Sequence, residues 1–225
     1  LKCGGEPHRI EDTVTRICSA YGSVHTDVFA LPSLVIAGVR MEDGTTASQV
    51  RRVYKTANNM YRLDKINDLS RSVCSGVVSL EEIDKNIGVI MNSKPFNRYL
   101  ALVGGVIAEG GFAVFFGGTI YDGLAAAVAG FFVSALNLHK IKFGNQMLYT
   151  VAVSFVGALA GLVVHKLGLG DNIDMIMIGT IMLVIPGLSF GNAVRDLLFG
   201  DTISGLIQFV QAIMTAVMVA FGFIV

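Results

Sequence analysis

Residues 99–225 contain five apolar stretches with almost no charge between them, and this constrains the fold more than any other feature. The stretches run near 99–118, 121–138, 147–166, 173–188 and 203–225. A helix of about 20 apolar residues, rising about 1.5 Å per residue, covers a hydrocarbon core about 30 Å thick. Charge is partitioned to match. Residues 1–98 hold 13 of the 17 Lys and Arg and 11 of the 17 Asp and Glu, leaving 4 basic and 6 acidic side chains for the other 127 positions. Five such helices in succession cannot all be hidden in a domain this small. The expected fold class is an α+β cytoplasmic domain, residues 1–94, followed by an all-α membrane bundle of five transmembrane helices, residues 95–225.

Lys and Arg in short loops set the expected orientation. Lys140 and Lys142 fall in the second loop and Arg195 in the fourth, while Lys94 and Arg98 precede the first span. The first loop has no basic residue and the third only Lys166. The N-terminal domain and the second and fourth loops are therefore expected in the cytoplasm, with Val225 outside. Zero net charge and no basic patch argue against a nucleic-acid partner. Cys3, Cys18 and Cys74 have no C-x-x-C spacing, which suits free thiols better than disulfides or a metal centre. No cofactor or metal is expected, and no Walker-type glycine loop for ATP hydrolysis is present.

The N-terminal part reads as alternating short elements. Ile10, Val14, Ile17 and Tyr21 recur at helical spacing, with Pro7 in the first turn and Gly22 at the end. "VHTDVFAL", "LVIAGVRM" and "ASQVRRVY" read as three antiparallel strands, separated by Pro32-Ser33 and by "EDG" at 42–44. "LDKINDLSRSV" and "SLEEIDKNIGVIMN" read as two further helices, the second opened by a capping box of Ser79 and Glu82.

Several polar groups are candidates for function. Glu109 stands near the middle of the first span, where an ionisable group costs about 3 kcal/mol on insertion scales. It is either a proton, cation or substrate contact or a protonated glutamate bonded to a neighbouring helix. "IPGLSFGNAVRDLLFGDTISG" at 185–205 places Asn192, Arg195, Asp196 and Asp201 in a glycine-rich break between two spans. Interrupted helices with basic side chains are a common way to hold an anionic substrate. There Arg195 is expected to pair with Asp196 or Asp201 when empty and with a substrate carboxylate when loaded. The plain alternative is a loop in which Arg195 anchors topology and Asp201 caps the last helix. Asp122, at the head of the second span, joins these transport candidates. Near the N-terminus, Glu6, His8, Arg9, Glu11 and Asp12 form a polar cluster that reads either as an acid–base site or as a solvated helix face. Ser23, His25 and Asp27 alternate along one strand about 7 Å apart, too far for a simple triad.

These residues together resemble the threonine/serine exporter family of prokaryotic inner-membrane transporters. The motifs that carry the resemblance are "GGEPHRIEDTVTRI" at 4–17, "LDKINDLSRSV" and "SLEEIDKNI" before the membrane, "FGGTIYDGLAAAVAG" at 116–130, and "IPG", "NAVRD" and "GDTISG" between 185 and 205. Family members occur as one ten-span chain or as two chains. This sequence is similar to the N-terminal half, or to the larger chain of the split type. The resemblance implies a non-enzymatic subunit of a secondary exporter in the plasma (inner) membrane. Its substrate would be threonine and serine, or a small dicarboxylate such as succinate. The implied partner is a separate five-span second-half subunit, with a homo-oligomer as the alternative, and lipid surrounds both. Gln208 and Gln211, where charged residues are typical, and Glu109, where small or apolar ones are, depart from the family pattern. A membrane-tethered hydrolase and a non-transporting assembly protein are the competing readings.

Overall fold

The computed structural model describes residues 1–54, 58–76, 78–93, 97–139 and 145–224. Lys94, Lys140, Lys142 and Val225, on which part of the expected orientation rests, lie outside the described residues. Contacts divide the chain into two units. One joins Leu1–Lys94 to Gly191–Phe209, and the other joins Pro95–Phe190 to Val210–Val225.

The first unit contains α1 (Pro7–Ala20), β1 (Ser23–Leu31), β2 (Leu34–Met41), β3 (Thr46–Arg52), α2 (Met60–Cys74) and α3 (Leu80–Met91). Pro7 opens α1, where a missing N–H costs nothing, and the chain leaves through Gly22 at φ +86°. The three strands form one antiparallel sheet in the order β1-β2-β3. Ser79 caps α3 as the sequence suggests, its hydroxyl accepting the Glu82 N–H at 3.3 Å. Helix α1 packs along β1, and the Glu11 carboxylate accepts the Ala30 N–H at 2.7 Å. Thr26, Val28 and Ala30 share the more covered face of β1, whereas His25, Asp27 and Phe29 share the open one. The expected apolar stripe of α1 is half-buried rather than buried, with β1 and α2 as its main neighbours.

The second unit is built from α4 (Arg98–Phe115), α5 (Ile120–His139), α6 (Gln146–Lys166) and α7 (Ile173–Ile181). Ala113, Ala125, Ala126, Ala129, Val164 and Ile176 form its core. Small residues set how closely these helices approach. A Cβ on Gly110 would lie 2.7 Å from the Gly123 carbonyl oxygen, and one on Gly179 would lie 2.7 Å from that of Glu109. Large apolar side chains such as Leu100, Ile107, Leu124, Phe132 and Leu159 point outward, as lipid-facing residues do.

Two further helices complete the chain, α8 (Gly187–Leu198) and α9 (Thr202–Ile224). Among the described residues, four helices are long and apolar enough to cross a membrane: α4, residues 120–138 of α5, α6 and α9. The fourth expected span, near 173–188, is not one helix. Helix α7 stops at Ile181 after 9 residues, a length of about 14 Å, and turns follow before α8 begins. The cause is Pro186. It has no N–H to return to residue 182, and its ring disfavours helical geometry in the preceding residue. The expected break at Pro186-Gly187 therefore reaches further back than the sequence suggests.

Candidate functional site

In the first unit, Glu6, His8, Arg195, Asp196 and Asp201 lie where α1 meets α8 and the head of α9. Glu6 is the N-cap residue of α1, and its Oε1 accepts from Arg195 Nη1 at 2.5 Å. His8, two residues further on, stacks on Phe199 with ring centroids 5.9 Å apart and planes 7° apart. The partner of Arg195 is thus Glu6 and not Asp196 or Asp201, the two acids nearest in sequence. Helical spacing explains this: Asp196 follows Arg195 immediately, about 100° further round the helix, so the two point apart.

Asp196 faces α9. It is buried, and its Oδ2 accepts from Ser204 Oγ at 3.1 Å and from Gln208 Nε2 at 2.5 Å. Gln208 Nε2 also lies 3.2 Å from Ser204 Oγ. Ser204 and Gln208 are four residues apart, so they share one helix face. The α8–α9 turn brings that face to Asp196. Gly200 sits at φ +90°, and a Cβ on Gly205 would lie 2.9 Å from the Leu197 nitrogen. Burial raises the Asp196 carboxyl above its ordinary range. The negative charges of Asp201 and Glu6 add to this, and the hydrogen bonds from Ser204 and Gln208 oppose it. Asp201 contributes backbone contacts, its N–H bonding the Asp196 carbonyl at 2.9 Å and its carbonyl accepting the Gly205 N–H at 2.9 Å. Its Oδ2 is buried without a hydrogen-bond partner among the described residues. Asn192 is half-buried on α8.

The N-terminal polar cluster does not converge. Glu6 goes to Arg195, His8 to Phe199, Glu11 to the Ala30 N–H and Asp12 to Arg16, while Arg9 is exposed. A single acid–base constellation is not formed. The strand residues behave differently from their spacing. His25 Nε2 and Asp27 Oδ2 lie 3.1 Å apart, because both side chains leave the same face and lean together. The Ser23 hydroxyl pairs instead with Thr26 at 2.8 Å, so no triad results.

Two more acids are buried in the second unit. Glu109 on α4 is fully buried, with Ser134 Oγ of α5 donating to its carboxyl at 3.4 Å. Gly130 leaves the space that the carboxyl occupies; a Cβ there would collide with it. Asp122, buried in the first turn of α5, accepts from Thr119 N–H at 2.8 Å and Thr119 Oγ1 at 2.9 Å. It also accepts from the N–H groups of Asp171 and Asn172 at 2.6 and 2.7 Å. It ties the α4–α5 turn to the α6–α7 turn. With four intramolecular donors, Asp122 is a structural clasp in this arrangement.

A family model described as "Putative threonine/serine exporter" matches residues 1–225, the full sequence. The chain belongs to this family. It is also similar to a threonine/serine exporter of Corynebacterium glutamicum, 22% identical over 209 residues, covering 89% of this chain and 43% of that protein. The chain thus spans less than half the length of that curated relative. No solved structure matches it. The exporter family and the four long apolar helices agree on a multi-pass membrane protein. For this family, the buried acids and the Arg195–Glu6 pair are the chemistry to be explained. Sequence reasoning missed Ser134 and Ser204, and it noted Gln208 only as a departure from the family pattern, not as a partner of Asp196; these three supply the hydrogen bonds to Glu109 and Asp196. The i, i+4 spacing of Ser204 and Gln208 eight residues beyond Asp196 was the available signal.

Proposed function

We propose that this chain is one half of a secondary exporter of small polar metabolites, threonine and serine first, with a small dicarboxylate such as succinate as the alternative cargo. Arg195 is the residue that meets the substrate carboxylate. The observation that carries this reading is its present partner, the carboxylate of Glu6. A guanidinium held by a carboxylate from a distant helix has the geometry to exchange it for another carboxylate, and the fork-shaped donor set of arginine suits that exchange. Asn192 and Asp196 on α8, with Asp201 just before α9, supply further polar groups. Glu109 is the candidate for a coupling proton, since it is the buried ionisable group midway along α4.

The second half is supplied by a separate five-span subunit or, failing that, by a second copy of this chain. A span interrupted at Pro186, the kind of broken helix that transporters use at repeat interfaces, supports this. The N-terminal domain faces the cytoplasm of a prokaryotic cell and the end of α9 faces outward. The test is efflux of threonine and of succinate from cells carrying this chain alone, the candidate partner alone, and both. Efflux only from the pair supports the reading. Efflux from the partner alone, unchanged by this chain, defeats it.

A further inference from the structure

The open face of the three-stranded sheet carries a concavity of about 350 Å³ that the exporter chemistry above does not use. Its floor is Gly38, and its rim includes His25, Asp27, Arg40, Thr46 and Ser48. Strand register explains why these groups converge. His25 pairs with Arg40 and Arg40 with Thr46, forming one cross-strand row; Asp27 pairs with Gly38 and Gly38 with Ser48, forming the next. Directly opposed side chains stand about 5 Å apart, and adjacent rows on one face about 7 Å. Between the rows, the missing side chain of Gly38 leaves the dip.

We infer that this concavity is a binding site for a free α-amino acid, with the carboxylate held by Arg40 and the ammonium by Asp27. A permanent cation and an acid stand one row apart, which matches a zwitterion laid across Gly38. The hydroxyls of Thr46 and Ser48 on the third strand are placed for a polar side chain such as that of threonine or serine. His25, held against Asp27 at 3.1 Å, fixes the acid on the rim. A dicarboxylate fits poorly, because its second negative group would meet Asp27. The volume is at the lower end of the range for small-molecule sites, about 300–1,000 Å³. The choice of threonine and serine among amino acids rests on the exporter reading; the zwitterion site itself does not.

The test is calorimetric titration of L-threonine, and separately of succinate, into the purified full chain in detergent. The Arg195→Ala chain is used beside wild type so that the proposed transport contact is absent. Saturable threonine binding is expected in both. Asp27→Asn and Arg40→Gln, both surface changes, should each weaken it about tenfold or more, the scale of one lost charge-assisted hydrogen bond. Gly38→Val should abolish it. Nothing lies within 4 Å of a Cβ at Gly38, and valine suits a strand, so this variant fills the dip without disturbing the fold, as an unchanged unfolding temperature would verify. Absence of threonine binding to the Arg195→Ala chain, or wild-type affinity in Gly38→Val, overturns the site. Intact threonine efflux with either result would defeat this inference and leave the exporter reading standing; binding with this variant pattern but no efflux would do the reverse.

Discussion

Arg195 on α8 donates a hydrogen bond to the carboxylate of Glu6 at the start of α1, 2.5 Å away in space and 189 residues away in sequence. If Glu6 stands in for a substrate carboxylate, it competes with substrate. Glu6→Gln should then lower the substrate concentration needed for half-maximal efflux several-fold, because the loaded state no longer has to displace a charged partner. An unchanged concentration dependence, measured at matched membrane levels, would make the pair a structural contact only.

Asp196 gives a stability signal with a defined sign. Its carboxyl is raised above the ordinary range by burial first, so the folded protein holds the proton more tightly than the unfolded chain. Stability should therefore fall as pH rises from about 4 through the folded-state value. Asp196→Asn should flatten this slope in unfolding experiments in detergent. A variant with the same pH slope as wild type would assign that slope to another group.

Glu109 and Gly130 should be energetically coupled. A methyl group at position 130 collides with the Glu109 carboxyl, so Gly130→Ala should destabilise the protein by about 1–3 kcal/mol. Glu109→Ala in the same chain should recover most of that loss, which unfolding temperatures of the two single variants and the double variant will report. For transport, Glu109→Gln should remove the pH dependence of efflux while leaving the protein in the membrane. Efflux with an unaltered pH profile would leave Glu109 only its hydrogen bond to Ser134.

Sidedness tests the broken crossing between α7 and α8. Cysteines introduced near residues 142 and 169 should label from opposite sides, because α6 runs between them. A cysteine near Ile224 should label from outside if residues 173–190 complete a crossing despite the break. Labelling of that position from the cytoplasm would reduce the crossings to the four long helices.

Much of this architecture was legible in the residues themselves. Strong local signals fixed the elements: Pro7 and Gly22 bracket α1, alternation marks β1 and β2, and Ser79 caps α3. Family membership was readable from ordered motifs rather than from any one of them. The partners of the charged residues were not. Arg195 had two acids within six positions, yet its contact comes from Glu6, because helix direction and tertiary packing decide where a side chain points. Asp122 looked like a substrate contact. Its four donors come from two separate turns, and two of them, the N–H groups of Asp171 and Asn172, lie about fifty residues away, a distance at which spacing rules carry no information. The fourth expected span was misjudged for a local reason, since a proline acts on the turn that precedes it as well as on its own position.

Arg195 decides between a transport site and a topological anchor. Threonine efflux should be measured from cells carrying the candidate partner subunit with wild-type, Arg195→Ala or Arg195→Lys chain, alongside membrane level and partner pull-down for each. A carboxylate-binding role requires that Arg195→Ala assemble normally and lose export, and that Arg195→Lys recover little of it, because a lysine cannot form the two-pronged contact. Wild-type efflux from Arg195→Ala at equal membrane level would contradict that role.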